Sequence, residues 1–359
     1  MAKVTDPIKI GAFTLKNRIT MAPTVKFDLT DASGKCTREL VEHYKARAKG
    51  GCGLICVEAT AVVPEGRFGP NHMGLWEDEQ IEGHKALVKA CHNEGAVVII
   101  QLNHTGYGTN PMMGPSVGPS TLEKHGWDGK PYMTHGFTLD ELHDMQKKYV
   151  EAAVRAKKAG YDGVQLHGCH SYLINQFASP ENNLREDEYG GSGENRGRFG
   201  AEIIREIRKE CGPDFLISVR TTGHDSTLAD AIEVAEEYVK AGCEYLQVST
   251  GMSNLDDLPE YKGGEVDKVP ALGIYFKEHF KDRVPVSSVG GLNTPESVKY
   301  LIENDLVDTV DIGRAVLADP DFANAVINGT EYSKCFGCKA CQFGPFTKHM
   351  CPANLKKNK

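Results

Sequence analysis

The chain repeats one pattern eight times: a short apolar run of strand length is followed by an amphipathic stretch with helical spacing. The predicted strands are Arg18–Met21, Gly53–Val57, Ala96–Leu102, Gly163–Leu166, Phe215–Val219, Tyr245–Ser249, Pro285–Val289 and Asp308–Ile312. The predicted helices are Thr37–Lys49, Asp78–Asn93, Leu139–Ala159, Glu194–Glu210, Leu228–Ala241, Leu272–Phe280, Pro295–Glu303 and Asp319–Ile327. Eight such units favour an α/β fold with a single (β/α)8 TIM barrel over a doubly wound sheet, although periodicity alone is compatible with both.

The composition excludes several classes of partner. The chain carries a formal net charge of -8 with 40% hydrophobic residues and no basic stripe, so we expect no nucleic-acid partner. The longest apolar runs, such as Ala96–Ile100, have only strand length, and Met1–Pro7 lacks the apolar core of a signal peptide. We therefore expect a cytoplasmic enzyme without a membrane partner.

A parallel barrel gathers its functional groups at the carboxyl ends of the strands. Those ends carry Pro23, Thr24, Glu58, Ala59, Gln101, His167, Arg220, Thr250, Gly290, Gly291, Gly313 and Arg314. The glycines follow the seventh and eighth predicted strands, and each pair opens towards a helix. Either pair alone fits a tight turn, but backbone N–H groups at both positions predict a phosphate cup.

The fourth predicted strand is followed by His167-Gly-Cys-His170-Ser-Tyr172. Two imidazoles can hold a carbonyl oxygen by paired N–H donation, and a phenol two residues later can deliver a proton. Scattered surface polarity, or half of a metal site, is the competing interpretation of His-x-x-His.

Three connections after strands are longer than simple linkers, namely Asn103–Thr138, Gly168–Gly193 and Thr250–Ala271. Long loops at this end of a barrel usually form the wall or lid of a substrate site. The first loop is rich in Gly, Pro and Met, so disorder is the alternative there.

Cysteines are scattered along the barrel but crowd its C-terminal side, where Cys335, Cys338, Cys341 and Cys351 follow one another. Four thiolates could ligate a [4Fe–4S] cluster or a tetrahedral zinc ion, and free thiols are the third possibility. We therefore divide the chain into a barrel domain, residues 1–330, with a short N-terminal cap, and a Cys-rich extension, residues 331–359.

Several motifs occur in a fixed order along nearly the whole chain. They are Leu15–Ile19 with Met21–Pro23, Gly53–Ala59, Gln101–His104, His167 to Tyr172, Ser179–Arg196, Val289–Gly291 and Ile312–Arg314. With these motifs the chain resembles the old yellow enzyme family of FMN-dependent ene-reductases. The resemblance implies a barrel that binds FMN and takes hydride from NADH or NADPH.

The resemblance also implies roles for individual residues. Gln101 would contact the pyrimidine edge of the flavin, and Arg220 would lie beside its N1 and O2 atoms, where negative charge gathers on reduction. The residues implied to bind the rest of FMN are Pro23, Thr24, Val25 and Ala59 at the ring and Gly290, Gly291, Gly313 and Arg314 at the phosphate.

The implied reaction is reduction of the C=C bond of an α,β-unsaturated carbonyl or enoate. His167 and His170 would hold the substrate oxygen, and Tyr172 would protonate the α-carbon. Two alternatives stay open: a flavin dehydrogenase of the amine-oxidising type, and a non-catalytic flavin-binding barrel.

This sequence departs from the family pattern near the flavin. Val25 stands where Thr or Cys is usual and cannot donate a hydrogen bond, so we predict a lower flavin potential. Phe27 replaces a position that is often polar, which predicts a more apolar substrate pocket with Phe27 as a substrate-binding residue. Tyr107 stands where Arg is frequent.

The four C-terminal cysteines resemble those of the dienoyl-CoA and enoate reductase branch, where a cluster relays electrons from a second flavin domain. The printed sequence ends at Lys359 without such a domain. A cluster would then serve an external electron-transfer protein or have a structural role, and free thiols are the alternative to a cluster. We also expect a homo-oligomer.

Overall fold

The computed structural model describes residues 2–109, 111–126, 129–250, 261, 263–264, 266–338, 341 and 351–357. Eight parallel strands close into a barrel in chain order, and the eighth strand pairs with the first. The barrel strands are Ile19–Met21, Leu54–Ala61, Val97–Asn103, Gly163–Gly168, Leu216–Thr222, Tyr245–Ser249, Val286–Val289 and Thr309–Ile312. The predicted (β/α)8 barrel is confirmed.

Helices cover the outside of this barrel. Their bounds are Arg38–Lys49, Ile81–His92, Leu139–Lys158, Gly193–Cys211, Leu228–Lys240, Lys268–Phe280, Pro295–Glu303 and Phe322–Asn328, with shorter helices at Leu173–Ala178, Arg314–Ala318 and Pro352–Lys357. Side-chain oxygens of Thr37, Thr138, Ser192, Thr227 and Thr294 cap five of the long helices by accepting a main-chain N–H bond from the first turn. None of the described helices is both long enough and apolar enough to cross a bilayer.

An antiparallel hairpin, Ile8–Ile10 paired with Phe13–Leu15, covers the amino-terminal end of the barrel. Ile10 and Leu15 are fully buried there against the first residues of several strands, including Leu54, Leu216 and Tyr245. Burial of these apolar side chains seals that end of the barrel. The hairpin is the short N-terminal cap that the sequence predicts.

The second strand is longer than predicted and contains an irregularity. Its pairing with the third strand shifts between Val57 and Thr60, so that Glu58 and Ala59 form a bulge. Bulges near active sites re-aim side chains and stop regular pairing. Here the bulge turns Ala59 towards the cavity at the carboxyl end of the barrel.

The long connection after the third strand is partly regular, with two small sheets: Val117–Gly118 paired with His135–Gly136, and Glu123–His125 paired with Pro131–Met133. Arg185, from the next long connection, joins that connection to the first of these sheets by donating to the main-chain oxygens of Pro119 and Phe137. The connections after the third and fourth strands therefore form an ordered wall beside the mouth of the barrel. Most of the third predicted loop, 251–260, lies outside the described residues.

Candidate active site

A cavity of about 410 Å³ opens at the carboxyl end of the barrel. It brings together every residue predicted to contact FMN, from six different strand ends, and it also contains His167, His170 and Tyr172. Because parallel strands point the same way, residues distant in sequence converge on this cavity.

Six lining residues escaped the sequence interpretation: Ala22, Phe68, Val289, Leu292, Asn293 and Asp311. Three of them, Ala22, Val289 and Leu292, adjoin predicted residues in the sequence, and Asn293 and Asp311 lie two positions from one. Phe68 carries no such signal, because it comes from an irregular segment after the second strand.

Phe27, which the sequence predicts as a substrate contact, is buried and does not line this cavity. Its ring lies edge-on to the ring of Phe68, with 5.9 Å between centroids. Phe68 in turn lies 4.8 Å from the Tyr172 ring. Phe27 thus supports the apolar wall from behind, and Phe68 is the aromatic residue that faces the cavity.

His167 and His170, which the sequence predicts to be an oxygen clamp, lie side by side in the cavity. His167 Nε2 lies 3.0 Å from His170 Nδ1, and the Tyr172 ring lies 4.7 Å from the His167 ring. His170 and Ser171 both adopt left-handed backbone conformations, with φ of 59° and 68°. This sharp turn brings His170 back beside the end of its own strand, and such strain is typical of functional sites.

Burial sets the protonation of these groups. Desolvation lowers the pKa of His170 to about 3 and lowers the pKa of His167 as well, and the nearby Arg220 charge acts in the same direction. Both imidazoles are therefore neutral near pH 7. Burial raises the pKa of the Tyr172 phenol, so that it stays protonated.

Arg220 is buried in the fifth strand beside the clamp. Its Nη2 donates to Ser249 Oγ at 3.4 Å, and Ser249 Oγ lies 2.9 Å from His170 Nε2. Within the described part of the chain, Arg220 Nε is buried and has no partner. A buried guanidinium with a spare donor suits an electron-rich ring edge in the cavity.

Gly290-Gly291 and Gly313-Arg314, from which the sequence predicts a phosphate cup, lie at the ends of the seventh and eighth strands and line the cavity. Gly290 and Gly291 have φ of 100° and 66°, and a Cβ added at either would lie within 2.7 Å of Val269 or Asp267. Among the residues described, no partner accepts from the main-chain N–H of Gly290, Gly291 or Gly313. Three free amides with the exposed Arg314 beside them fit a phosphate group.

A buried carboxyl group supports the segment that carries Val25. Glu58 accepts from the Lys26 main-chain N–H at 3.2 Å and from the Tyr44 hydroxyl at 3.0 Å. The Glu58 amide donates to the same hydroxyl at 2.9 Å. Burial raises the pKa of Glu58 to about 7, despite these bonds.

The four C-terminal cysteines do not assemble a metal site among the described residues. Cys338 is exposed and the other three are half-buried, and no three of their sulfur atoms form a compact ligand group. Burial raises the pKa of Cys341, with smaller contributions from the neighbouring Cys335 and Cys338. The short helix Pro352–Lys357 packs instead on the barrel, where Asn354 Nδ2 donates to the Leu317 oxygen at 3.3 Å.

A barrel whose mouth combines a phosphate cup, a buried guanidinium and a neutral imidazole pair defines a class of protein, the FMN-binding oxidoreductases. Comparisons agree with that class. The sequence profile of the NADH:flavin oxidoreductase / NADH oxidase family matches residues 3–332. The chain belongs to this family, and its barrel is an NADH- or NADPH-dependent FMN oxidoreductase of the old yellow enzyme type.

Relatives differ in how much of their length this chain covers. It is 34% identical over 344 residues to an NADH oxidase of Thermoanaerobacter brockii, covering 92% of this chain but only 52% of that protein. It is 34% identical over 328 residues to an NADPH dehydrogenase of Bacillus pumilus (strain SAFR-032), covering 89% of this chain and 93% of the relative. The structure of an old yellow enzyme homologue from Zymomonas mobilis superposes with a TM-score of 0.81 at 28% identity, covering 98% of this chain and 99% of that one.

Proposed function

We propose that this protein reduces the C=C bond of an α,β-unsaturated carbonyl compound, with NADH or NADPH as the hydride donor. The observation that carries the proposal is the clamp and its neighbour: His167 Nε2 lies 3.0 Å from His170 Nδ1, and the Tyr172 ring lies beside them in the same cavity. Reduction of a conjugated carbonyl compound needs one enzyme group that binds the carbonyl oxygen and a second, acidic group that reaches the α-carbon.

The clamp suits a neutral oxygen acceptor. Because the pKa values of His167 and His170 are lowered, both rings bind by N–H donation and carry no charge at neutral pH. In the absence of substrate, one imidazole donates its N–H to the other ring. A carbonyl oxygen would bind by taking the place of the nitrogen that accepts this hydrogen bond. Donation to that oxygen withdraws electrons from the conjugated system and makes the β-carbon electrophilic.

Tyr172 supplies the proton. Its raised pKa keeps the phenol protonated at neutral pH, and the α-carbon becomes basic once the β-carbon has received hydride. The phenol proton forms the new C–H bond, and solvent returns a proton to the phenolate. The balanced outcome is that NAD(P)H and one proton convert C=C to CH–CH.

The remaining residues hold the cofactor and the apolar part of the substrate. Bound FMN would supply the two-electron chemistry, taking hydride from the nicotinamide and giving it to the alkene. Arg220 would stabilise negative charge on the ring, and the Gly290, Gly291 and Gly313 amides would hold the phosphate. Phe68, backed by Phe27, would line the apolar wall.

The test follows the two half-reactions separately. Anaerobic mixing with NADPH or NADH should bleach the flavin absorbance, and mixing the bleached enzyme with a cyclic enone should restore it and yield the saturated ketone. Tyr172→Phe should leave the first half-reaction intact and slow the second by roughly 10²- to 10⁴-fold.

Tyr332→Phe is the matched control, because Tyr332 packs on Phe322 away from the cavity. If Tyr172→Phe reoxidises with the enone as fast as the parent protein, Tyr172 is not the proton donor. If the enone never restores the flavin absorbance while oxygen does, the alkene-reducing function is wrong.

The prediction of a metal centre on Cys335, Cys338, Cys341 and Cys351 also stays open to measurement. Iron and acid-labile sulfide assays on anaerobically purified protein, with zinc analysis in parallel, distinguish a [4Fe–4S] cluster, a zinc ion and free thiols. An external electron-transfer partner and a homo-oligomer remain predictions alongside it.

A further inference from the structure

Cys169 lies between the two histidines of the oxygen clamp and is fully buried. Its Sγ is 3.4 Å from His170 Nδ1, which is itself 3.0 Å from His167 Nε2. All three ligand atoms lie within 4.8 Å of one another. Among the residues that the structure describes, this is the one group of three metal-ligating side chains with that spacing.

The separations suit zinc. With Zn–N bonds of about 2.05 Å and a Zn–S bond of about 2.3 Å, the N···N distance of 3.0 Å and the N···S distance of 3.4 Å correspond to ligand–metal–ligand angles of about 94° and about 103°. Both angles are below the tetrahedral value of about 109°, the second by only a few degrees. Two nitrogens and one sulfur leave the fourth position of the ion for a water molecule or an incoming ligand from the cavity, which His167 and His170 both line.

The surroundings of His170 are also those of a metal ligand. A metal-binding imidazole usually engages a hydrogen-bond partner through its second nitrogen, which fixes the ring and its tautomer. His170 Nε2 lies 2.9 Å from Ser249 Oγ, so its Nδ1 is left to face His167 and Cys169. His167 Nδ1 is buried without a partner in the described chain and can carry the ring proton when Nε2 binds a metal.

We propose that His167, Cys169 and His170 form a binding site for Zn²⁺, and that the bound ion occupies the oxygen clamp and excludes the carbonyl substrate. Binding exchanges the Cys169 S–H proton for an S–Zn bond and releases that proton to solvent, with no change of oxidation state. The inhibitory consequence rests on the proposed function, whereas the binding of the ion does not.

The first experiment is a direct titration of the FMN-loaded full-length protein with Zn²⁺ by calorimetry, and with Co²⁺ by difference absorbance in the near ultraviolet, where thiolate coordination gives a charge-transfer band. Cys169→Ala and the nearly isosteric Cys169→Ser should each lose one equivalent of ion and most of that band. Cys211→Ser, at a free thiol that ends the helix Gly193–Cys211 and does not line the cavity, is the matched control and should retain both.

The second experiment measures turnover. Zn²⁺ should inhibit enone reduction competitively with the enone. The zinc inhibition constant should be at least tenfold higher for Cys169→Ala than for the parent, with each protein compared with its own turnover in the absence of zinc. The proposal is overturned if Cys169→Ala and Cys169→Ser bind zinc and cobalt as the parent does, or if Cys211→Ser alone abolishes binding. The zinc and cobalt titrations need no alkene chemistry, so they test metal binding even if the protein does not reduce enones.

Discussion

Gln101 Nε2 donates to Gln165 Oε1 at 2.7 Å inside the barrel. Gln165 donates in turn to Gln247, and Gln247 Nε2 donates to Asp311 Oδ1 at 2.7 Å. These residues come from four different strands, and each amide donates to the next residue in the series. Since the Gln101 amide nitrogen is held by Gln165, the amide oxygen is the group left to act as an acceptor at the cavity that Gln101 lines.

Gln165→Met tests this chain of amides. The substitution conserves volume but leaves the Gln101 amide nitrogen without its acceptor, so we expect FMN affinity to fall about tenfold and the free energy of unfolding to fall by about 1–3 kcal/mol. Flavin fluorescence titration and urea unfolding measure the two quantities. Gln146→Met removes an amide that bonds to Glu202 on the outer helices and should leave FMN affinity unchanged. Equal FMN affinity in Gln165→Met and the parent would contradict the role given to Gln165.

Val25→Thr tests the hydrogen bond that this chain lacks beside the flavin. Val25 lines the cavity, and a hydroxyl there could donate to the reduced ring, stabilising it by about 1 kcal/mol. For a two-electron couple this raises the midpoint potential by about 20 mV. Spectroelectrochemical titration measures the shift, with Val41→Thr on an outer helix as the control. An unchanged potential would mean that Val25 does not face the redox-active part of the ring.

Glu58→Gln tests the buried carboxyl group beneath that segment. The pKa of Glu58 is about 7 in the folded protein, above its ordinary value of 4.5, so the folded state binds the proton more tightly than the unfolded state. The parent should therefore lose stability relative to Glu58→Gln as the pH rises between about 4.5 and 7, by on the order of 3 kcal/mol.

Urea unfolding at pH 5 and pH 8 measures this difference. Glu82→Gln, at an exposed carboxyl paired with Lys85, is the control and should show no comparable trend. A parent and a Glu58→Gln variant whose stabilities keep a constant difference across this range would refute the raised pKa.

Ser249→Ala tests the support of the clamp. Loss of the 2.9 Å contact to His170 Nε2 frees the ring to rotate, and a net hydrogen bond of about 0.5–1.5 kcal/mol predicts a rise in the KM for the enone of about 3- to 10-fold. The rate of flavin reduction at saturating NADPH should stay within about twofold. Ser288→Ala is the control, because its hydroxyl donates to the Pro270 oxygen on the outside of the barrel. If both half-reactions change equally, Ser249 acts on the fold and not on His170.

The barrel and most of its cavity could be predicted because both depend on simple repetition. Strands of one direction present their carboxyl ends together, so Gln101, His167 and Arg220 could be assigned to one cavity from their places in the pattern alone. The second strand was predicted too short because polar residues, Glu58 and Thr60, interrupt its apolar run. Their burial depends on bonds such as that to Tyr44, which is distant in sequence.

The sequence could not predict which side chain from the irregular segments lines the cavity. Phe27 and Phe68 are both apolar residues in non-repeating chain, and only the path of the backbone after the 3-10 turn Pro64–Gly66 decides which one reaches the cavity. Asp311 was missed for a different reason. It follows Val310 in what is read as a continuous buried strand, and its carboxyl group is tolerated there because Gln247 and Thr20 donate to it.

The hairpin Ile8–Leu15 closes the far end of the barrel with packed apolar side chains, so everything that reaches the flavin must use the opposite mouth. FMN would occupy part of the cavity of about 410 Å³ at that mouth. We therefore expect the oxidised nicotinamide to leave before the proposed enone substrate binds. Steady-state rates should accordingly give parallel double-reciprocal lines. NADPH or the enone, when in excess, should inhibit turnover by occupying the site that the other compound needs.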